Sequence, residues 1–447
     1  MKRWSWLTCI SGSCLFAVEP APQLPSEAKM SWLENTEIKV GVDLNRGGAI
    51  VYLAGQDGIN LINNFDLGRQ VQLSYFSGPV PFEAAGQKPK EQWQHIGWNP
   101  IQAGDDFGHS SEILAHENDG KTLHVSCRPM QWPLRGVPGE CVMESWLALE
   151  GKVLLAKARL SNARHDTTPW PARLQELPAV YGNAGLHRVI SYQGTRPFQN
   201  EPATLVPKPQ GKHPWSFWIG TEGWAALLNE QDHGLGLITP DRVHFTGGFA
   251  GKPGKNETLS NSTGYLAGQG QEILDHNIVH EFRYELVLGN LKDIRTRAER
   301  HQRSAPPMWR FQQDRQGWHF HQLVDRGWPI EGCLRLQLEQ PDPQLIGPFC
   351  FWQAEEAPQL IVDAAFYTRQ TLATVFWQRH STSAPQPSDT LSFPIQGDGL
   401  RRRYVIKLSE AKSYQGSIIR LRLDPVPSGS PGDWAEIHAI ELSRVAE

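Results

Sequence analysis

Residues 37–64, "EIKVGVDLNRGGAIVYLAGQDGINLINN", hold the pattern on which the fold turns. Ile38, Val40, Val42 and Leu44 occupy alternate positions, which aims them at one face of an extended strand. "NRGG" then supplies a turn, because glycine takes the left-handed backbone that side chains avoid. "AIVYLAG" resumes as a second strand, so the stretch reads as an antiparallel hairpin.

The alternation continues. In "NLINNFDLGRQVQLSYF" (60–76), Val71, Leu73 and Tyr75 share one face, and Gln70, Gln72, Ser74 and Phe76 the other. "TLHVSC", "ESWLALEGKVLLAKARLSN", "GWAALLNEQDHGLGLIT" and "HEFRYELVLG" repeat it, the middle two as hairpins through "EGK" and "NEQDHG". One stretch, "NLKDIRTRAERHQR" (290–303), has a helical character. The "SAPP" that follows is the best domain boundary, and six more short strands come after it. Seventeen Trp, 41 Gly and 33 Pro beside five Met fit strands joined by turns. The expected fold class is all-β: an antiparallel super-sandwich over 30–303 and a C-terminal β-sandwich, a jelly roll, over 304–447.

Lys+Arg 43 nearly balances Asp+Glu 47, which leaves no field to draw nucleic acid. The first residues, "MKRWSWLTCISGSCLFAVEP", pair a basic start with an apolar run too short to span a bilayer. Residues 1–22 are expected to be a signal peptide of an exported protein with no integral membrane segment, Cys14 offering an imperfect lipid-anchor position. Cys127, Cys141, Cys333 and Cys350 remain, and their order suggests the local pairs Cys127–Cys141 and Cys333–Cys350, one of three connectivities. No spacing suits a structural zinc.

Residues 37–295, from "GVDLNRGGAIVYLAGQDGINLINN" to "YELVLGNLKDIR", resemble galactose-mutarotase-like super-sandwiches in their order of strands and turns. "GDGLRRRYVIKLSEAKSYQGSIIRLRLDPVPSGSPGDWAEIHAIELS" resembles galactose-binding-like jelly rolls. Together they imply a carbohydrate-active protein with a poly- or oligosaccharide partner. Such folds host epimerases, hydrolases and lyases alike, so the reaction must come from residues.

Sugars need polar side chains to pair with hydroxyl arrays, and cleavage needs groups that move protons. In "HIGWNPIQAGDDFGHSSE" (95–112), Trp98, to position a sugar, and Asp105, Asp106 and His109 stand among glycines, which also suits a turn or a structural calcium loop; no other cofactor is expected. "RPMQWPLRG" offers Gln131 and Trp132 for a sugar ring. Glu176, between Leu174, Leu177 and Pro178, has the apolar surroundings of a general acid, with Tyr181 nearby. Asn64, Arg69 and Gln72 end a turn as binding groups, Arg69 being suited to a carboxylate. The expectation is glycosidic hydrolysis by Glu176 with Asp105 or Asp106, His109 assisting. β-Elimination at a uronate is the alternative, and a glycan-binding protein without catalysis is a second.

Overall fold

The computed structural model describes residues 24–25, 27–209, 214–240 and 242–444. The expected leader and Cys14 lie outside them. Among the described residues four antiparallel sheets form two sandwiches, and the fold is all-β.

The first sandwich pairs a ten-stranded with a nine-stranded sheet. The opening hairpin forms as its alternation requires: Lys39–Asp43 pairs with Ala49–Ala54, and Gly47 and Gly48 take φ of 58° and 72° between them. Strand Val71–Ser74 follows in the same sheet, with Arg173–Gly182 and then Thr263–Glu272 beside it. Val40, Val42 and Val71 pack inward with Val180 and Leu266, while Leu73 and Tyr75 join a second inner cluster around Trp98. Both hairpins read from the sequence form, at Cys141–Glu150 with Val153–Asn162 and at Trp224–Leu228 with His233–Ile238.

The helix Leu291–Glu299 closes this sandwich. Asn290 Oδ1 accepts from Asp293 N at 3.0 Å and Asp293 returns a bond to Asn290 N, a capping box that satisfies two otherwise orphaned donors. Ile294 and Ala298, four apart, bury its inner stripe.

Two six-stranded sheets form the second sandwich, whose core includes Trp318, Trp352, Phe366 and Trp377. Asp424, at the end of its strand, is held by Arg422, and Asp433 accepts from Thr368 Oγ1. The sandwiches meet through a buried ion network in which Arg315 Nη1 reaches Asp275 at 2.5 Å and Nε reaches Asp325 at 2.6 Å. Trp328 packs against the cores on both sides of this junction.

The four described cysteines are free and buried, which corrects the two expected bridges. Cys127 pairs across its strands with Met143, and Cys141 with Asn162, so the ladder sets neither cysteine opposite the other. Cys333 sits instead beside Arg335, Glu436 and His438, and Cys350 against Arg420 and Arg303.

Candidate functional site

The outer face of the ten-stranded sheet carries its most reactive arrangement. Strand Thr263–Glu272, "TGYLAGQGQE", alternates so that Leu266 points into the sandwich while Tyr265, Ala267 and Gln269 point out. Its neighbour Arg173–Gly182 sets Glu176 opposite Gln269 and Tyr181 opposite Tyr265, with a register shift between Glu176 and Ala179. That irregularity falls at Leu177–Pro178, where proline has no N–H for the ladder.

Tyr265 Oη donates to Glu176 Oε2 at 2.6 Å. The ring reaches along the sheet to do so, because Glu176 pairs four residues further along the strand, roughly 13 Å at the usual rise. Ala179 and Ala267, small and buried, leave that path open. Tyr181 packs 4.5 Å from Tyr265 and Trp215 packs 4.8 Å from it, centroid to centroid. Trp215 can lie down on the strand because residue 248 is glycine: a Cβ there would meet Pro214 O at 2.4 Å. Burial pushes both phenols up, Tyr265 well above its ordinary value, and the Glu176 carboxylate adds to each shift. Both phenols are therefore protonated at neutral pH.

Arg69 lies near enough to Tyr181 to bear on its phenol, as does Asp66. Its Nε is 3.4 Å from Asp66, Nη1 donates to Asn261 O at 2.7 Å, and the guanidinium lies over Phe65. Trp132 touches the same turn at Gly68 and meets Trp93 edge to face. Asp106 accepts from Trp93 Nε1 at 2.9 Å and Lys90 Nζ at 2.7 Å. The structure thus brings Glu176 to Tyr265 and Tyr181, and Arg69, Trp132 and Asp106 into a chain of contacts around the turn at 66–69.

The remaining expected residues are placed otherwise. Asp105 is buried and accepts from Phe107 N, His109 N, His109 Nδ1 and Gly136 N, which makes it the organiser of its loop. His109 is its partner. Trp98 is fully buried, with the Arg164 guanidinium over its ring, so it packs in the core. Gln72 bonds Leu67 O and Ala103 N, Gln131 accepts from Asn99 N, and Asn64 donates to Val51 O. All three amides are buried and brace loops.

Tyr265, Trp215 and Gln269 were missed in the sequence. The signal was there in the alternation Tyr265, Ala267, Gln269, Gln271, whose outward face is aromatic, small and amide rather than charged.

One group among the described residues could hold a metal: Cys333, Glu436 and His438, whose donor atoms lie within 4.8 Å of one another. It lies in the second sandwich, apart from the tyrosine face.

No protein-family model matches the chain, and no curated protein matches it. Among solved structures it is similar to a galactose mutarotase-like protein from Lactobacillus casei, at 12% identity and a TM-score of 0.38 over 58% of this chain and 99% of that one. A galactose mutarotase related enzyme from Lactobacillus acidophilus follows at 10% and 0.36, over 58% and 97%. A polysaccharide lyase aligns with 87% of this chain and 46% of its own, at 10% identity and 0.32.

Proposed function

We infer that the protein cleaves glycosidic bonds in a poly- or oligosaccharide laid across the outer face of the first sandwich. The observation that carries this reading is the Glu176–Tyr265 hydrogen bond beneath Tyr181 and Trp215. Aromatic rings offer a sugar ring apolar faces to rest on. The phenol that donates to Glu176 fixes the carboxylate in place, and we assign Glu176 as the base and a tyrosine as the proton donor.

That division of roles favours β-elimination at a uronate over hydrolysis. Elimination needs a base for the proton beside the sugar carboxylate, a donor for the leaving oxygen and a cation to neutralise the carboxylate. Glu176, Tyr265 or Tyr181, and Arg69 fill those parts. Hydrolysis needs a second carboxylic group that can hold a proton or activate water. Asp105 is consumed by four hydrogen bonds, and Asp106 is engaged by Lys90 Nζ and Trp93 Nε1. Hydrolysis with Glu176 and Asp106 is the second reading, because Asp106 shares the Trp93–Trp132 contact that borders this face. In either case the protein belongs outside the cytoplasm, where polysaccharides are met.

A panel of polysaccharides, followed by reducing ends and by the ultraviolet absorbance of unsaturated uronates, tests this. Both signals together mean elimination. Reducing ends alone mean hydrolysis, and binding with neither signal means a glycan-binding protein and overturns the catalytic reading.

A further inference from the structure

A cavity of about 1060 Å³ lies between the two sandwiches. Its size exceeds the usual range for a small-molecule site, roughly 300–1,000 Å³, so it has room for more than one sugar ring. The first sandwich contributes Gln269, Arg242 and His244, and the second contributes Phe349 and Arg420. His244 packs 4.7 Å from Phe349 and the Arg420 guanidinium lies 4.5 Å over Phe349, so the wall is continuous across the junction.

Two polar groups in this wall have buried atoms without a hydrogen-bond partner among the described residues. Gln269 is 2% exposed, yet neither its amide nitrogen nor its oxygen has a hydrogen-bond partner. Such a group costs about 1–3 kcal/mol unless something bonds it. Arg242 gives Nη2 to Glu272, while its Nη1 is buried and unpartnered. Gly270 makes room for this guanidinium, since a Cβ there would lie 3.0 Å from its Cζ. Arg420 donates Nε to Gly347 O and pairs Nη2 with His319 Nε2, and among the described residues no ion pair joins it to a carboxylate. A half-buried cation without a counter-ion is a feature that an anionic ligand would relieve. The acids that share the cavity do not supply one: Glu272 is committed to Arg242 and His280, Glu281 to Lys157 and Arg159, and burial pushes the Asp314 carboxyl up.

We propose that this cavity binds the carboxylate end of an acidic saccharide, Arg420 and Arg242 holding the carboxylate and Gln269 an adjacent hydroxyl. Gln269 stands opposite Glu176 in the sheet register, so a chain seated here leads towards the tyrosine face. The saccharide half of the proposal rests on the function inferred above; the anionic half rests on the cavity alone. The second sandwich is then a wall of the binding site.

Calorimetric titration of the full chain with digalacturonate, lactose and sodium sulfate tests this. Digalacturonate is expected to bind, and lactose to bind at least about tenfold more weakly, since it has no carboxylate for a charge-assisted hydrogen bond; sulfate, which brings the charge but no hydroxyl for Gln269, should also bind more weakly. Arg420→Gln and Gln269→Leu should each weaken digalacturonate by about tenfold or more. Gln269→Leu should melt no lower than wild type, because it removes an unpaired buried amide, and so it decides the matter even where Arg420→Gln folds poorly. No digalacturonate binding, equal binding of lactose or sulfate, or unchanged affinity in Gln269→Leu overturns the proposal. Binding that depends on Gln269 without cleavage of any polysaccharide would sink the inferred reaction and leave this site standing.

Discussion

Tyr265 and Glu176 sit on adjacent strands, four residues out of register, and are nevertheless joined by a 2.6 Å hydrogen bond. The bond exists because two alanines leave the sheet bare between them. Replacing Ala267 with Leu is therefore expected to displace the tyrosine ring, at a cost of about 1–3 kcal/mol for overpacking. Thermal unfolding of the variant checks the cost. An unchanged melting temperature would mean that the ring does not lie along this path.

The tyrosines also set an alkaline limit. Tyr75, Tyr181, Tyr265, Tyr284 and Tyr414 are all pushed above their ordinary value by burial. Above pH ~10 the unfolded chain loses phenolic protons that the folded chain keeps, so stability is full below that pH and falls as pH rises beyond it. Melting temperature followed with tyrosinate absorbance should show a steep loss on that side, with ionisation and unfolding coinciding. Ionisation of these tyrosines before unfolding would contradict their placement.

The acid side has a different origin. His244 and His319 are held at about 4, first by burial and then by the neighbouring Arg420 guanidinium. Between pH ~6.5 and ~4 the unfolded chain binds protons that the folded one refuses, so stability declines as pH falls through that window. His319→Gln should flatten the slope of melting temperature against pH there. An unchanged slope would remove His319 from the account.

The junction between the sandwiches rests on Arg315, which is buried between Asp275 and Asp325. Arg315→Met leaves two carboxylates without their cation and is expected to cost about 3–5 kcal/mol. Denaturant unfolding measures it, and a loss under 1 kcal/mol would show that the network contributes little.

The free thiols give a prediction that runs against the first reading of the sequence. Cys127 and Cys350 are pushed up to about 12 by burial, and Cys141 and Cys333 are also raised. Reductant should leave the melting temperature unchanged, and a drop would restore the expected bridges.

What the sequence disclosed was mainly periodicity. Val71, Leu73 and Tyr75 are inward-facing because a strand alternates, and that is visible in "RQVQLSYF" without any structure. The helix announced itself by its charge and the closing prolines. Partners across strands were not visible. Asp105 reads as a candidate acid until Gly136, thirty-one residues on, is seen to donate to it. Trp98 reads as a sugar platform until Arg164 covers it. Glu176 acquired its meaning from Tyr265, 89 residues distant, through a register that no local pattern encodes. The junction cavity was out of reach for the same reason, since its wall is shared between Leu177, residues 239–283 and residues 303–420.

The most direct test compares wild type with Glu176→Gln and Tyr265→Phe on whichever polysaccharide the panel identifies. Removing a general base is expected to lower kcat by about 10²–10⁴ in Glu176→Gln, with folding and substrate binding retained. Tyr265→Phe should lose activity too, by a smaller factor if Tyr181 can take over the proton. Full turnover by Glu176→Gln would contradict the account.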